Sequence, residues 1–197
     1  MDVLYFIKQM VDWGPKGIPS YDVGMADNAF LQGQAALYFD HSRIASLVRD
    51  PNQSVVGGKV GYTITPKKKN RLSETGGFGV AIPSNSKNKE AAWMFITWMT
   101  SKEVEKRLAM NGLQLTDRMS ILMDPALQAK YDEYEVLAKQ EPDPNWRPSI
   151  KEFPEIETQY FGVAVNDVMT GAKTPEEAMQ SVVEPIRKIM EEGGYYD

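Results

Sequence analysis

The 197-residue chain contains no cysteine and a single histidine, His41. The first absence excludes disulfides, thiolate zinc sites and a cysteine nucleophile, and it fits a reducing cytoplasm and an oxidising periplasm equally well. The second leaves any triad or multi-histidine metal site to be built around one imidazole. Asp40-His41-Ser42 holds the residue types of a triad at the wrong spacing, because adjacent residues do not easily point one ring at both a nucleophile and an orienting acid. A loop histidine is the plainer reading. Positive charge is also in deficit: the net charge is −5, so no global positive field draws in nucleic acid or anionic lipid. The longest strongly apolar run, residues 91–99, falls far short of the roughly 20 residues a membrane-spanning helix needs. The first five residues lack the basic and apolar regions of a secretory signal.

What is present suits a packed soluble domain. Val3, Leu4, Phe6, Ile7, Met10 and Val11 recur at helical spacing, which predicts an amphipathic helix over 2–13, stopped by Gly14-Pro15. A second helix is expected over 23–32 with Gly33 as its cap. Ser42 is placed to cap a short helix running to Val48. From Asn88 to Met110 the pattern is helical, interrupted where Thr100-Ser101-Lys102-Glu103 spells a capping box with Thr100 as the cap. A polar amphipathic helix is expected over 124–140 with Pro125 in its first turn, and another helix over 155–170. Thr174-Pro175-Glu176-Glu177 combines an N-cap, a first-turn proline and a capping-box glutamate, opening a last helix that Pro185 should kink.

Three runs read as strands: Ala35–Phe39 and Gly77–Ile82 as short buried ones, and Lys59–Ile64 from its β-branched residues. Lys67-Lys68-Lys69-Asn70-Arg71 reads as a solvated basic loop. Ser73–Gly79 is glycine-rich, but it matches no phosphate-binding pattern and leads into a strand. Trp146-Arg147, in a proline-bounded loop, and Arg118 could offer an aromatic face and guanidinium groups to a polar ring. Loop anchoring and surface ion pairs are the plainer alternatives. Carboxylates are many but mostly lie on polar helix faces, and no pair stands out for acid–base work. No catalytic residue, metal ligand or cofactor is expected.

The order of segments is more specific than any one of them. AFLQGQAALYFDHS, KVGYTITPKK, GGFGVAIPSNSKNKEAAWMFITWMTSKEVEKRLAMNG, TDRMSILMDP, NWRPSIKEFPEI and GAKTPEEAMQSVVEPIRKIMEEGGYY succeed one another as in the C-terminal half of a bacterial extracellular solute-binding protein. The resemblance is to the family 1 sugar- and polyol-binding components of ABC importers, the group that includes maltose-binding protein, and it covers nearly the whole chain.

That resemblance implies an α/β fold of the periplasmic binding protein type II kind, with two lobes closing on a sugar and no catalytic step. Residues 1–64 and 120–197 would belong to the second lobe, and 65–119 would form a strand-helix-helix piece of the first lobe with the crossover. Family members are about twice this long and exported, which makes the chain read as a C-terminal fragment with Met1 an internal or artificial start. The implied partners are a sugar or polyol and the permease subunits, and the implied location is periplasmic or extracellular, through a signal or a lipoprotein anchor that this chain lacks. By position, the implied ligand residues are Asp40, His41, Ser42 and Arg43 after a strand, Gly76 and Gly77 at a Gly-Gly turn, and Phe78 where relatives often carry a stacking tryptophan. Arg118 follows, in a P-x-R-x-S-like pattern with Thr116 replacing the proline, and then Trp146 and Arg147. Such side chains suit a sugar: ring faces stack on its C–H side while charged and amide groups bond its hydroxyls.

Two other readings stand beside this one. A glycoside-processing enzyme would set two carboxylates roughly 5 to 10 Å apart in one pocket. A third reading is a self-associating module with no ligand of its own. Lys89–Glu103, KEAAWMFITWMTSKE, reads as a helix apolar all round, which needs a cover; under the two-lobe resemblance that cover would be first-lobe sequence outside this chain, so residues 77–110 are expected either to pack against another copy or to swing away from their family position.

Overall fold

The computed structural model of the chain describes residues 1–74, 79–113, 116, 118–143 and 147–196. The chain divides into two compact units. One comprises Met1–Phe30, Gln34–Leu37 and Arg147–Asp197, and the other Leu31–Gly33 and Tyr38–Trp146.

In the first unit the stripe over residues 2–13 becomes helix α1 (Asp2–Trp13), which ends at Gly14 as its spacing predicts. A 3₁₀ turn (Ile18–Ser20) leads into α2 (Val23–Leu31). The amide of Gln34 returns to the Ala29 carbonyl at 2.9 Å across Gly33, whose φ of 71° is the left-handed geometry expected of a helix-ending glycine. Further on, α9 (Phe153–Glu155), a π turn (Ile156–Phe161) and α10 (Gly162–Thr170) run as one continuous helical stretch. Gly171 ends it at φ 76°. The predicted capping box then opens the last helix, α11 (Pro175–Glu192): the Thr174 hydroxyl accepts from the Glu177 amide, and Glu177 accepts from the Thr174 amide. Helix α11 continues through Pro185.

Leu4 of α1, Ala164 and Val168 of α10, and Ala178 and Val182 of α11 form the core of this unit, with Tyr160 and Ile186 packed against it. Helix α11 thus buries one stripe, and Val183, beside it, is 43% exposed. The reason is geometric: Val183 follows Val182 by one residue, which on a helix is a turn of about 100° off the buried face.

In the second unit α3 (Ile44–Arg49) buries Ile44, Ala45 and Val48. Arg43, not Ser42, occupies its N-cap, and no side chain caps it. Helices α4 (Lys89–Met99) and α5 (Lys102–Met110) abut as expected, with the cap displaced by one residue. Ser101 is the N-cap and accepts from the Val104 amide at 3.4 Å, while Thr100 donates its hydroxyl back to the Ile96 carbonyl at 2.8 Å. Two adjacent hydroxyls were available, and the one nearer the end of α4 bonds back to a carbonyl that also accepts from the Thr100 amide.

The expected helix over 124–140 is two helices, α7 (Pro125–Gln128) and α8 (Asp132–Lys139), after the short α6 (Met119–Leu122). The break falls at Tyr131, which is extended at φ −140°. It brings Tyr131 and Tyr134 into a stacked pair 5.8 Å apart, inside a core of Ala109, Ile121, Leu122 and Leu127. Asp132 and Glu133 then sit in the first turn of α8, where the helix dipole favours acids.

The three predicted strands are corrected. Residues 35–39, 59–64 and 79–82 form no strand, and Leu37, Phe39 and Val80 are 90%, 71% and 54% exposed; Gly77 and Phe78 lie outside the described residues. An apolar run becomes a strand only where another strand supplies a ladder. Among the described residues the one ladder is parallel, pairing β1 (Leu72–Glu74) with β2 (Glu141–Asp143). A knot of hydrogen bonds sits just before both strands: Thr65 donates its amide to the Gln140 side chain, and both Thr65 and Gln140 donate to the Arg71 carbonyl.

Candidate functional site

Asp40, His41, Ser42 and Arg43 form the turn that enters α3. Their geometry is fixed mainly by backbone: the His41, Ser42 and Arg43 carbonyls accept from the Ile44, Ala45 and Ser46 amides. Tyr38 lies against this turn, donating its hydroxyl to Asp40 Oδ2 at 3.1 Å and meeting the His41 ring edge to face at 6.2 Å. The turn therefore gathers a carboxylate, an imidazole, a phenol and a guanidinium within six residues. Those are the types that bond vicinal hydroxyls.

Arg118 belongs to the same unit and is the N-cap residue of α6. Its Nε donates to Glu105 Oε1 at 3.0 Å and its Nη2 to the Thr100 carbonyl at 2.5 Å. Thr116 donates its hydroxyl to the other Glu105 oxygen at 2.8 Å and accepts from the Arg118 amide. One carboxylate thereby holds both Thr116 and Arg118. Nothing in the sequence marks Glu105 for this, because on the polar face of α5 it looks like any solvated charge.

Arg147 belongs to the other unit, where it pairs with Glu157. Its Nε and Nη2 both reach Glu157 Oε1, at 3.1 and 2.8 Å. A guanidinium is planar with five fixed donors, so two bonds along one edge set the plane in which its remaining donors lie. Gly76, Gly77, Phe78 and Trp146 lie outside the described residues.

Two open surface depressions occur in the first unit, one lined by Glu176, Glu177, Gln180 and Ser181 and the other by Gly17, Pro19, Ser20, Asn166, Met169 and Thr170. Neither is lined by Asp40, His41, Ser42, Arg43, Arg118 or Arg147, the implied ligand residues that are among the described ones. Among the described residues no group of three or more His, Asp or Glu side chains is arranged to hold a metal ion. No helix among them is long and apolar enough to cross a membrane.

The polar feature that the sequence did not announce is a buried network around Glu133. This residue is 4% exposed and accepts from Arg49, whose guanidinium lies 4.4 Å from the Tyr131 ring centroid. Burial, helped by the Glu133 charge, pushes the Tyr134 hydroxyl up to about 12 and raises that of Tyr62. Gly112, at φ 67°, lets the chain pass where a Cβ would stand 3.0 Å from the Tyr131 hydroxyl.

Comparison with known proteins gives these features a context. Residues 2–106 match the family described as bacterial extracellular solute-binding protein. A probable amino-acid ABC transporter periplasmic-binding protein of Sinorhizobium fredii is 25% identical over 97% of this chain and 43% of its own length. A mannitol-binding protein of Pseudomonas aeruginosa is 25% identical over 97% of this chain and 48% of its own. Among solved structures, an ABC transporter solute-binding protein of Agrobacterium radiobacter K84 in complex with ribitol is 38% identical, with a TM-score of 0.84 over 94% of this chain and 48% of that one. A solute-binding protein of Agrobacterium vitis S4 with bound D-mannitol, 24% identical at a TM-score of 0.77, shares the fold. The chain spans about half the length of the relatives it matches. On the matched residues, which exceed half of its length, the chain belongs to the bacterial extracellular solute-binding protein family.

Proposed function

We propose that the protein containing this chain is the substrate-binding component of an ABC importer for an acyclic polyol, binding its ligand without turning it over. The observation that carries this reading is the likeness, at 38% identity over 94% of the chain, to a solute-binding protein in complex with ribitol. The mannitol-binding relative and a 27%-identical erythritol/L-threitol-binding protein of Mycolicibacterium smegmatis support the same ligand class. In this reading residues 1–64 and 120–197 serve the second lobe and residues 65–119 the first lobe and crossover. Ligand contacts come from Asp40, His41, Ser42, Arg43, Gly76, Gly77, Phe78, Arg118, Trp146 and Arg147. The complete protein acts outside the cytoplasm, soluble or on a lipoprotein anchor, and delivers polyol to permease subunits. The chain of residues 1–197 associates with itself through 77–110.

Calorimetric titration of the complete protein against ribitol, D-mannitol, erythritol, a disaccharide and an amino-acid panel tests it. Saturable binding of a polyol, recovered unchanged, is the expected result. Preference for an amino acid would align the protein with its Sinorhizobium relative and overturn the reading, and so would chemical conversion of the ligand.

A further inference from the structure

The helical stretch over 153–170 changes register at its centre, where Ile156–Phe161 form a π turn. There the Gly162 amide donates to the carbonyl of Glu157, five residues back. A Cβ at Gly162 would stand 3.2 Å from that same carbonyl oxygen, so a side chain there would press on the turn by a few tenths of an ångström. Ile156, 4% exposed, and Tyr160, packed on the core, anchor the segment inward. Thr158 donates its hydroxyl to the Pro154 carbonyl at 2.7 Å.

Glu157 is the residue this turn projects towards Arg147, receiving both Nε and Nη2 on one carboxylate oxygen. The pair is half-exposed, with side chains 50% and 38% accessible, so it contributes little to folding. A π turn is an uncommon interruption found frequently at functional sites, and a pair of so little value to stability does not by itself account for this one.

We infer that Glu157 is a positioning residue for polyol binding: the π turn and Gly162 hold its carboxylate so that it fixes the plane of the Arg147 guanidinium for the ligand's hydroxyls. This rests on the proposed function, in which Arg147 contacts ligand. Fixing a donor fork before binding lowers the ordering cost of the complex.

A double-mutant cycle on the complete protein, with ribitol and D-mannitol as probes in calorimetry, tests the inference. Glu157→Gln should weaken binding roughly tenfold with the ligand-free melting temperature unchanged, and Arg147→Ala should weaken it at least as much. Adding Glu157→Gln to Arg147→Ala should then change nothing, an outcome that a merely structural role would not give. Glu157→Asp, which keeps the charge on a shorter stem, should fall between wild type and Glu157→Gln. Wild-type affinity in Glu157→Gln, or a loss that persists undiminished in the Arg147→Ala background, would overturn the inference while leaving the function standing. A wild-type protein that binds neither polyol would sink both.

Discussion

Glu133, 4% exposed, accepts from the guanidinium of Arg49, whose side chain remains 32% exposed. The two ends of this ion pair are therefore unequal. Removing Arg49 strands a carboxylate away from water and also removes the cation from the Tyr131 ring. Removing the charge of Glu133 leaves an arginine that still reaches solvent. Arg49→Met is expected to destabilise the fold by about 3 kcal/mol and Glu133→Gln by about 1 kcal/mol. Urea unfolding of both variants would show the asymmetry, and equal losses would mean that the pair is solvated in solution.

The same network sets an alkaline limit. Burial, then the charges of Glu133 and Tyr131, raise the Tyr134 hydroxyl to about 12, against an ordinary value of 10.0. The folded state holds this proton more tightly than the unfolded one. Stability from Tyr134 is thus fully present below pH 10.0 and is lost as pH rises towards about 12. Tyrosinate absorbance followed against pH should show late-titrating tyrosine in the native protein that disappears in urea. A native titration superimposable on the unfolded one would contradict the burial.

Local signals explain which parts of this fold the sequence displayed. The capping box at Thr174 and the αL ends at Gly33 and Gly171 each involve residues within about five positions, so the residue types alone specify them. The runs at 35–39, 59–64 and 79–82 announce apolar character, but a strand depends on a partner that local sequence does not contain. The one ladder among the described residues joins Leu72 to Glu141, distant in the chain. Arg118 and Arg147 stand out in the sequence as arginines in irregular segments, and the resemblance is what makes them ligand candidates. Their holders Glu105 and Glu157 carry no local mark, because an ion pair across elements leaves no spacing to read.

Thr174 offers a measure of how much one such local device contributes. Its hydroxyl accepts from the Glu177 amide at 3.2 Å, while its own amide donates to the Glu177 carboxylate at 2.9 Å. Thr174→Ala should cost about 1 kcal/mol at neutral pH. Hydrogen bonds from the Thr174 amide, then its hydroxyl, hold the Glu177 carboxyl below its ordinary 4.5. A depressed carboxyl stabilises the fold above its unfolded value, and that contribution fades as pH falls through the folded one. The gap between wild type and Thr174→Ala, read from thermal melts at several pH values, should narrow in acid. A gap independent of pH would show that the Thr174 hydroxyl takes no part in holding the Glu177 carboxylate.

Helix α4 carries the last prediction. Trp93, Met94, Phe95 and Trp98 are 64%, 72%, 57% and 54% exposed, and Phe95 leans on Trp98 at 5.8 Å. None of the residues of α4 is buried. Covering each of these side chains is worth roughly 1.5 to 3 kcal/mol, and a contiguous apolar patch of this kind favours association over solvation. The chain of residues 1–197 should therefore sediment as an oligomer at micromolar concentration. Trp93→Gln with Trp98→Gln, which keeps helix-compatible residues while removing both indoles, should shift it to monomer with the thermal midpoint of the remaining fold little changed. A wild-type chain that stays monomeric across the accessible concentration range would show that this helix is covered in some other way.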